Sequence, residues 1–403
     1  MDYLMKGSTL EKTQINRWLR WGKVFGGLIG GLIALFIVGV LIKNDFQELD
    51  PSVKKIVTMD FTQFEGGRRG YFYFLGMNSD LNSDFEAEGR KRVARLEPLN
   101  QHKEVIQKST DNKPFRIPSP QPFCRPDYFC NPSSITRLKS EIQKELSDKK
   151  RMLEKVDRLI EYGSYGLAAY PLMERQPSII NLLEWMRYKN LQWSVLLNEG
   201  AYERIAQEIQ DINVFIRTSL EYPRSLLEQM ILTLLLEKNR NLVVEVVKYY
   251  PQFKEGRTPL FWDSFQLRMS YLRLAQNFSK YEIMGVYDIF QRVENGASGN
   301  IGVDGGDVWS YLPSSLIQLV LNKEDSMNRL YNFYHRRFQE YCQNQSKARA
   351  DCEEIVVFES ESDEGFLYNP LGRRLLKLFT TNVDRSMKRL EQKMKVVTAP
   401  FVL

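Results

Sequence analysis

The residues of this 403-residue chain whose spacing most directly implies chemistry are four cysteines in two near-neighbour pairs, Cys124/Cys130 and Cys342/Cys352. An even count in a domain outside the cytosol is read as disulfides. A zinc site is the competing reading, but its ligands usually stand at C-x₂₋₄-C with histidines nearby, and the chain holds only His102 and His335. Local bridges are therefore expected, with crossed pairing or free thiols as the alternatives. Arg125-Pro126-Asp127 supplies a turn that can bring Cys124 to Cys130. The second pair makes a structural demand. In one continuous helix Cys342 and Cys352 would stand about 15 Å apart, whereas a disulfide needs Cα atoms within about 7 Å. The helix carrying Cys342 must end near it, and Gln343-Asn344-Gln345-Ser346 is the expected place.

Other chemistry-bearing patterns read as scaffold. The chain has no H-E-x-x-H, G-x-x-x-x-G-K-[ST], G-x-S-x-G or G-x-G-x-x-G. His335, in Tyr334-His335-Arg336-Arg337, is expected on the solvent face of a helix. In the glycine-rich stretch 294–307, Asn300, Asp304 and Asp307 are oxygen donors, but not at EF-hand spacing, and a surface loop is expected. The acidic run Glu359–Glu364 reads as a solvated connector. Glu65-Gly66-Gly67-Arg68-Arg69-Gly70 reads as a turn, because no strand-to-helix context makes it a phosphate cradle. No catalytic residue, metal or cofactor is assigned.

The elements that position these residues begin with a charge step. Residues 1–23 hold five basic residues (Lys6, Lys12, Arg17, Arg20, Lys23) against Asp2 and Glu11. Taking those from the chain's 56 basic and 50 acidic residues leaves 51 and 48 for the rest. A nucleic-acid binder concentrates positive charge in its folded domain, so nucleic acid is not an expected partner.

Val24–Ile42 is a 19-residue run without a charge, VFGGLIGGLIALFIVGVLI. As a helix it just spans a bilayer core of about 30 Å. Trp18 and Trp21 precede it at interfacial depth, and the excess of basic residues on their side places residues 1–23 in the cytoplasm and 43–403 outside it. The apolar core exceeds that of a signal peptide and ends in Lys43-Asn44-Asp45-Phe46 without a small-residue cleavage pattern, so it is expected to remain as an anchor. Gly26, Gly30 and Ala34 share one face. That face would let two such helices pack as a homodimer, although glycine is frequent in membrane helices in any case.

Beyond the anchor, residues 43–132 read as an extended, irregular, proline-rich segment. Short strands are expected over Ile56–Phe64 and Tyr71–Leu75, which are rich in β-branched or aromatic residues and bounded by glycines. Residues 133–403 read as an all-α multi-helix domain. Its first helix, capped by Ser133 or Ser134, carries Ile135, Leu138, Ile142, Leu146, Leu153, Val156 and Ile160 at helical spacing and stops at Gly163. A packed helix is favoured over a coiled-coil arm, because the heptad position at 149 is lysine. Further helices are expected over 178–198, 201–220, 224–249, 259–293, 316–343 and 371–396. Breaks are expected at Tyr170-Pro171, Tyr222-Pro223 and Tyr250-Pro251. Met230–Leu236 is too short to span a membrane and reads as core.

Several stretches resemble a family of uncharacterised bacterial single-pass inner-membrane proteins with a helical periplasmic domain. They are Gly70-Tyr71-Phe72-Tyr73-Phe74-Leu75-Gly76 with Gly89, Phe123–Cys130, Arg158–Tyr165, Arg217–Leu236, and Tyr368-Asn369-Pro370-Leu371-Gly372-Arg373. The resemblance implies a bacterial inner-membrane location and a helical fold, and carries no activity, ligand or site residue.

The functional expectation is a membrane-anchored, non-enzymatic envelope protein whose periplasmic domain binds or scaffolds protein partners. Two alternatives stand beside it. One is an anchored sensor or accessory subunit that binds a periplasmic ligand; the other is a carboxylate-based hydrolase without a recognisable motif.

Overall fold

The computed structural model describes residues 48–59, 65–80, 82–96, 115–124, 130–166, 178–294, 322–343, 352 and 383–401. Val24–Ile42, with Gly26, Gly30 and Ala34, lies outside them, as do His102, residues 295–307 and the acidic run. No helix among the described residues is long and apolar enough to cross a membrane.

These residues fold as helices: α1 Pro51–Val57, α2 Glu65–Gly76, α3 Phe85–Leu96, α4 Pro132–Glu161, α5 Ile180–Asn198, α6 Tyr202–Leu220, α7 Leu226–Tyr249, α8 Pro259–Asp263, α9 Tyr271–Glu294, α10 Lys323–Gln343 and α11 Val383–Thr398. Among the described residues the strands expected over Ile56–Phe64 and Tyr71–Leu75 are not formed, and residues 60–64 lie outside those described. Ile56 and Val57 close α1, and Tyr71–Leu75 lie inside α2. Glu65–Gly70, expected as a turn, forms the start of α2.

The aromatic run misleads because all five residues Tyr71–Leu75 are buried, so tertiary packing overrides their β preference. The glycines explain how. α2 and α3 form a hairpin in which Gly76 lies against the carbonyl of Phe85 and Gly89 against that of Phe72, and a β-carbon on either would overlap that oxygen. Residues that usually weaken helices here let two backbones approach.

Within the bundle α5 buries Trp185, Tyr188 and Trp193. Each of these rings directs a polar tip to a carboxylate on a neighbouring helix, satisfying the group that burial would otherwise orphan. Trp185 Nε1 donates to Asp157 Oδ1 at 2.9 Å and Tyr188 Oη to Glu145 Oε1 at 3.0 Å, both on α4. Trp193 Nε1 donates to Glu208 Oε2 on α6 at 2.8 Å. The long helix α4 is thus a packed element, with Ile135, Ile142, Val156 and Leu159 buried. Its N-cap is Asn131, accepting from Ser134 N at 2.9 Å, rather than the expected Ser133 or Ser134. Proline takes the first helical position, where no N–H is needed, and so moves the cap one residue upstream of Pro132. Gly163 follows α4 at φ +74°.

The expected helix over 259–293 is two helices. Ser270 Oγ accepts from Arg273 N at 3.1 Å at the start of α9, and between the two helices Leu267 N donates to Val397 O of α11 at 2.9 Å. Arg240 secures the same region by donating to Ala399 O at 2.9 Å and lying over Phe401, 5.1 Å from its ring centroid. Leu232, Leu235 and Leu236 are core, as the apolar run of α7 implies.

Candidate functional site

Both cysteine pairs lie at disulfide distance. Cα separations are 5.3 Å for Cys124–Cys130 and 6.0 Å for Cys342–Cys352, and α10 ends at Gln343, where the second pair requires it to end. Cys130 is fully buried beside Ile135, Ile142 and Leu191. The irregular segment before it is pinned along α5. Asn181 accepts from Ile117 N at 2.8 Å and donates to Phe115 O at 2.8 Å, while Ser194 Oγ accepts from Cys130 N at 3.0 Å. At these distances each pair can tie its segment to the fold as a local bridge.

Among the described residues, no group of three or more His, Cys, Asp or Glu is arranged to hold a metal ion. Among the described residues a buried arginine and glutamate come together where α6 gives way to α7. Pro223 interrupts the helical chain, and Ser225 restarts it as a capping box: its side chain accepts from Glu228 N at 3.2 Å, and Glu228 Oε2 accepts from Ser225 N at 3.1 Å. The residue between them, Arg224, is thereby directed inward and is 2% exposed. Its Nη2 donates to Tyr165 O at 2.7 Å and also to Ser219 O, and its guanidinium lies 4.4 Å from the Tyr165 ring centroid. Tyr165 Oη in turn donates to Glu228 Oε1 at 3.2 Å. Arg224 Nη1 stands 4.0 Å from that same oxygen, beyond hydrogen-bond reach. Tyr71, Tyr165, Gly166, Pro223, Arg224, Glu228 and Tyr281 line a cavity of about 10 Å³.

Burial pushes the phenols of Tyr165 and Tyr281 far above their ordinary range, with the Glu228 carboxylate adding to the effect. Both therefore stay protonated, and Tyr165 acts as a donor to Glu228. On α9, burial raises the Glu282 carboxyl to about 7. Elsewhere charge serves packing. Lys155 Nζ donates to Met77 O at 3.1 Å and lies 4.2 Å from the Phe85 ring centroid, and burial lowers it to about 8. Glu86 is held down to about 2, chiefly by hydrogen bonds from Arg69.

His335 departs from the expected solvent face. Its ring is half-buried, stacked on Tyr331 at 3.8 Å between centroids, and burial lowers it to about 4. Helical periodicity places it beside Tyr331 and Phe338, one turn either way, and these two rings cover it.

Sequence reasoning singled out neither Arg224 nor Glu228. A local signal was present in Ser225-Leu226-Leu227-Glu228, the S-x-x-E of a capping box after a proline. Comparison with known families, characterised proteins and solved structures finds no match to this chain.

Proposed function

We propose that this protein is a membrane-anchored, non-enzymatic component of the bacterial cell envelope, with residues 1–23 in the cytoplasm and the helical domain in the periplasm. That domain binds or scaffolds protein partners. The observation that carries the reading is the junction between the apolar run and the fold. Asp50 N donates to Asn328 Oδ1 at 2.9 Å and Asn328 Nδ2 donates to Glu48 O at 3.0 Å. Five residues lie between Ile42 and Glu48, and the six steps from one to the other extend to at most about 22 Å. A helix anchored through Val24–Ile42 would therefore hold the α1–α10 side of the domain close to the bilayer, presenting the remainder outward. The charges described above support a scaffold role, because buried Arg224 and Lys155 and the partly exposed Glu86 are spent on tying segments together.

Site-specific photocrosslinking in cells tests this. Probes replacing Leu260 and Leu227, exposed apolar residues at 70% and 56%, should give discrete protein adducts. Probes across the surface that yield no adduct would overturn the partner reading.

One observation favours a second reading, a carboxylate hydrolase: the Glu282 carboxyl near 7 is suited to general acid work at neutral pH. Hydrolytic turnover by the purified chain, abolished by Glu282→Gln without loss of fold, would establish it instead.

A further inference from the structure

Arg224 carries its charge in a place where its hydrogen bonds do not close among the described residues. Nη2 is engaged twice, but Nε and Nη1 meet no acceptor among them. Glu228 has the matching deficit. Its Oε2 accepts from Ser225 N and Ser225 Oγ, whereas Oε1 accepts only from Tyr165 Oη, leaving one lone pair turned toward Arg224. Buried N–H groups of a guanidinium are costly to leave unmade, and the ends of this pair stop 4.0 Å apart.

That separation fits one intervening atom. Placed about 2.9 Å from both Arg224 Nη1 and Glu228 Oε1, it would subtend an angle of about 87° between them, which a water oxygen accommodates. The cavity between them, about 10 Å³, has room for a single water. Its charge selects a neutral occupant. A halide drawn to the guanidinium would lie equally close to the carboxylate, and a cation would meet the reverse conflict. The occupant must accept from Arg224 and donate to Glu228, and the phenols of Tyr71 and Tyr281 line the remaining walls.

We propose that this cavity is the binding site of one internal water molecule, which makes Arg224 and Glu228 a water-separated ion pair. The water accepts from Arg224 Nη1 and donates to Glu228 Oε1. It joins the turn before α7 to α2 through Tyr71 and to α9 through Tyr281.

An experimental structure of the full chain, at a resolution that shows ordered solvent and from crystals soaked in bromide, tests the proposal. The expected result is a solvent peak about 2.9 Å from both Arg224 Nη1 and Glu228 Oε1 with no anomalous signal. An anomalous peak at the site would make it an anion site. A direct Arg224–Glu228 hydrogen bond, or a site without density, would equally overturn the proposal.

Discussion

Asn328, near the start of α10, holds the backbone of Glu48 and Asp50 through both ends of its side-chain amide, at 3.0 and 2.9 Å. The contact spans about 280 residues of sequence, and it closes the fold at the point where the chain leaves the apolar run. Asp50 is fixed a second time by its own side chain, which accepts from Ser52 N at 2.8 Å and caps α1.

Asn328→Ala should therefore loosen the junction locally. Two partly exposed hydrogen bonds are lost, a cost of about 1–2 kcal/mol. Amide exchange measured by mass spectrometry should rise over 50–57 while α5 and α7 stay protected. Unchanged exchange at α1 would mean that Asn328 does not hold the junction.

The α2–α3 hairpin predicts a contest between propensity and packing. Gly89→Ala gains up to about 1 kcal/mol of helix propensity, but its β-carbon overlaps the Phe72 carbonyl, and backbone cannot yield as a side chain can. Overpacking of this kind costs about 1–3 kcal/mol, and packing should win. Gly200 is the control: at φ +80° with nothing within 4 Å of an added β-carbon, alanine there meets only backbone strain of about 1 kcal/mol. Denaturant titration should rank Gly89→Ala as the more destabilising. The reverse order would show that the hairpin can part at little cost.

This hairpin also marks where sequence and structure diverge. Helices over 178–198, 201–220 and 224–249 were legible because turn residues such as Tyr222-Pro223 and Tyr250-Pro251 punctuate them, and the structure places them at Ile180–Asn198, Tyr202–Leu220 and Leu226–Tyr249. Tyr71–Leu75 misled because its aromatic residues carry a β preference that burial along that whole run of α2 overrides. The Arg224 cluster was hidden for a different reason. Its meaning depends on Tyr165, which contacts it through a fold that no local pattern encodes.

Two groups make stability depend on pH with opposite signs. His335 is lowered from 6.5 to about 4, so between these values the unfolded chain binds more protons, and stability falls as pH drops through that window. Glu282 is raised from 4.5 to about 7, so the folded chain binds more protons there, and stability falls as pH rises through the window. The two slopes oppose each other between about pH 4.5 and 6.5. Glu282→Gln should stabilise the protein at pH 8 by about 1–3 kcal/mol relative to its effect at pH 4.5. His335→Gln should remove the acid-side loss. Chemical denaturation across pH reads both, and parallel curves for wild type and Glu282→Gln would contradict the burial of that carboxyl.

Topology follows from the charge step at Val24–Ile42. Alkaline phosphatase fused after Lys43 should be active, and a cytoplasmic reporter at the same point should be silent. Removal of residues 1–42 should leave a fragment that stays monodisperse without detergent. Reversed reporter activities would put the domain in the cytoplasm and remove the oxidising environment that the cysteine pairs need.

That environment is tested most directly by the cysteines themselves. Cys124 and Cys130 stand at a sequence separation of 6, and Cys342 and Cys352 at one of 10, with Cα separations that require no backbone movement. Loop-entropy reasoning assigns each about 2–3 kcal/mol. The consequences differ by location. Cys130 is buried against α4 and α5, and its backbone is held by Ser194, so the Cys124→Ser/Cys130→Ser variant should also release the 115–124 segment from α5. Loss of the second pair should act on the end of α10 alone. Peptide mapping of protein from its native compartment, without reductant, should recover Cys124 joined to Cys130 and Cys342 joined to Cys352. A Cys124–Cys342 or Cys124–Cys352 peptide would require segments that the fold holds apart to meet. Four free thiols would place the domain in a reducing compartment, contrary to the charge step.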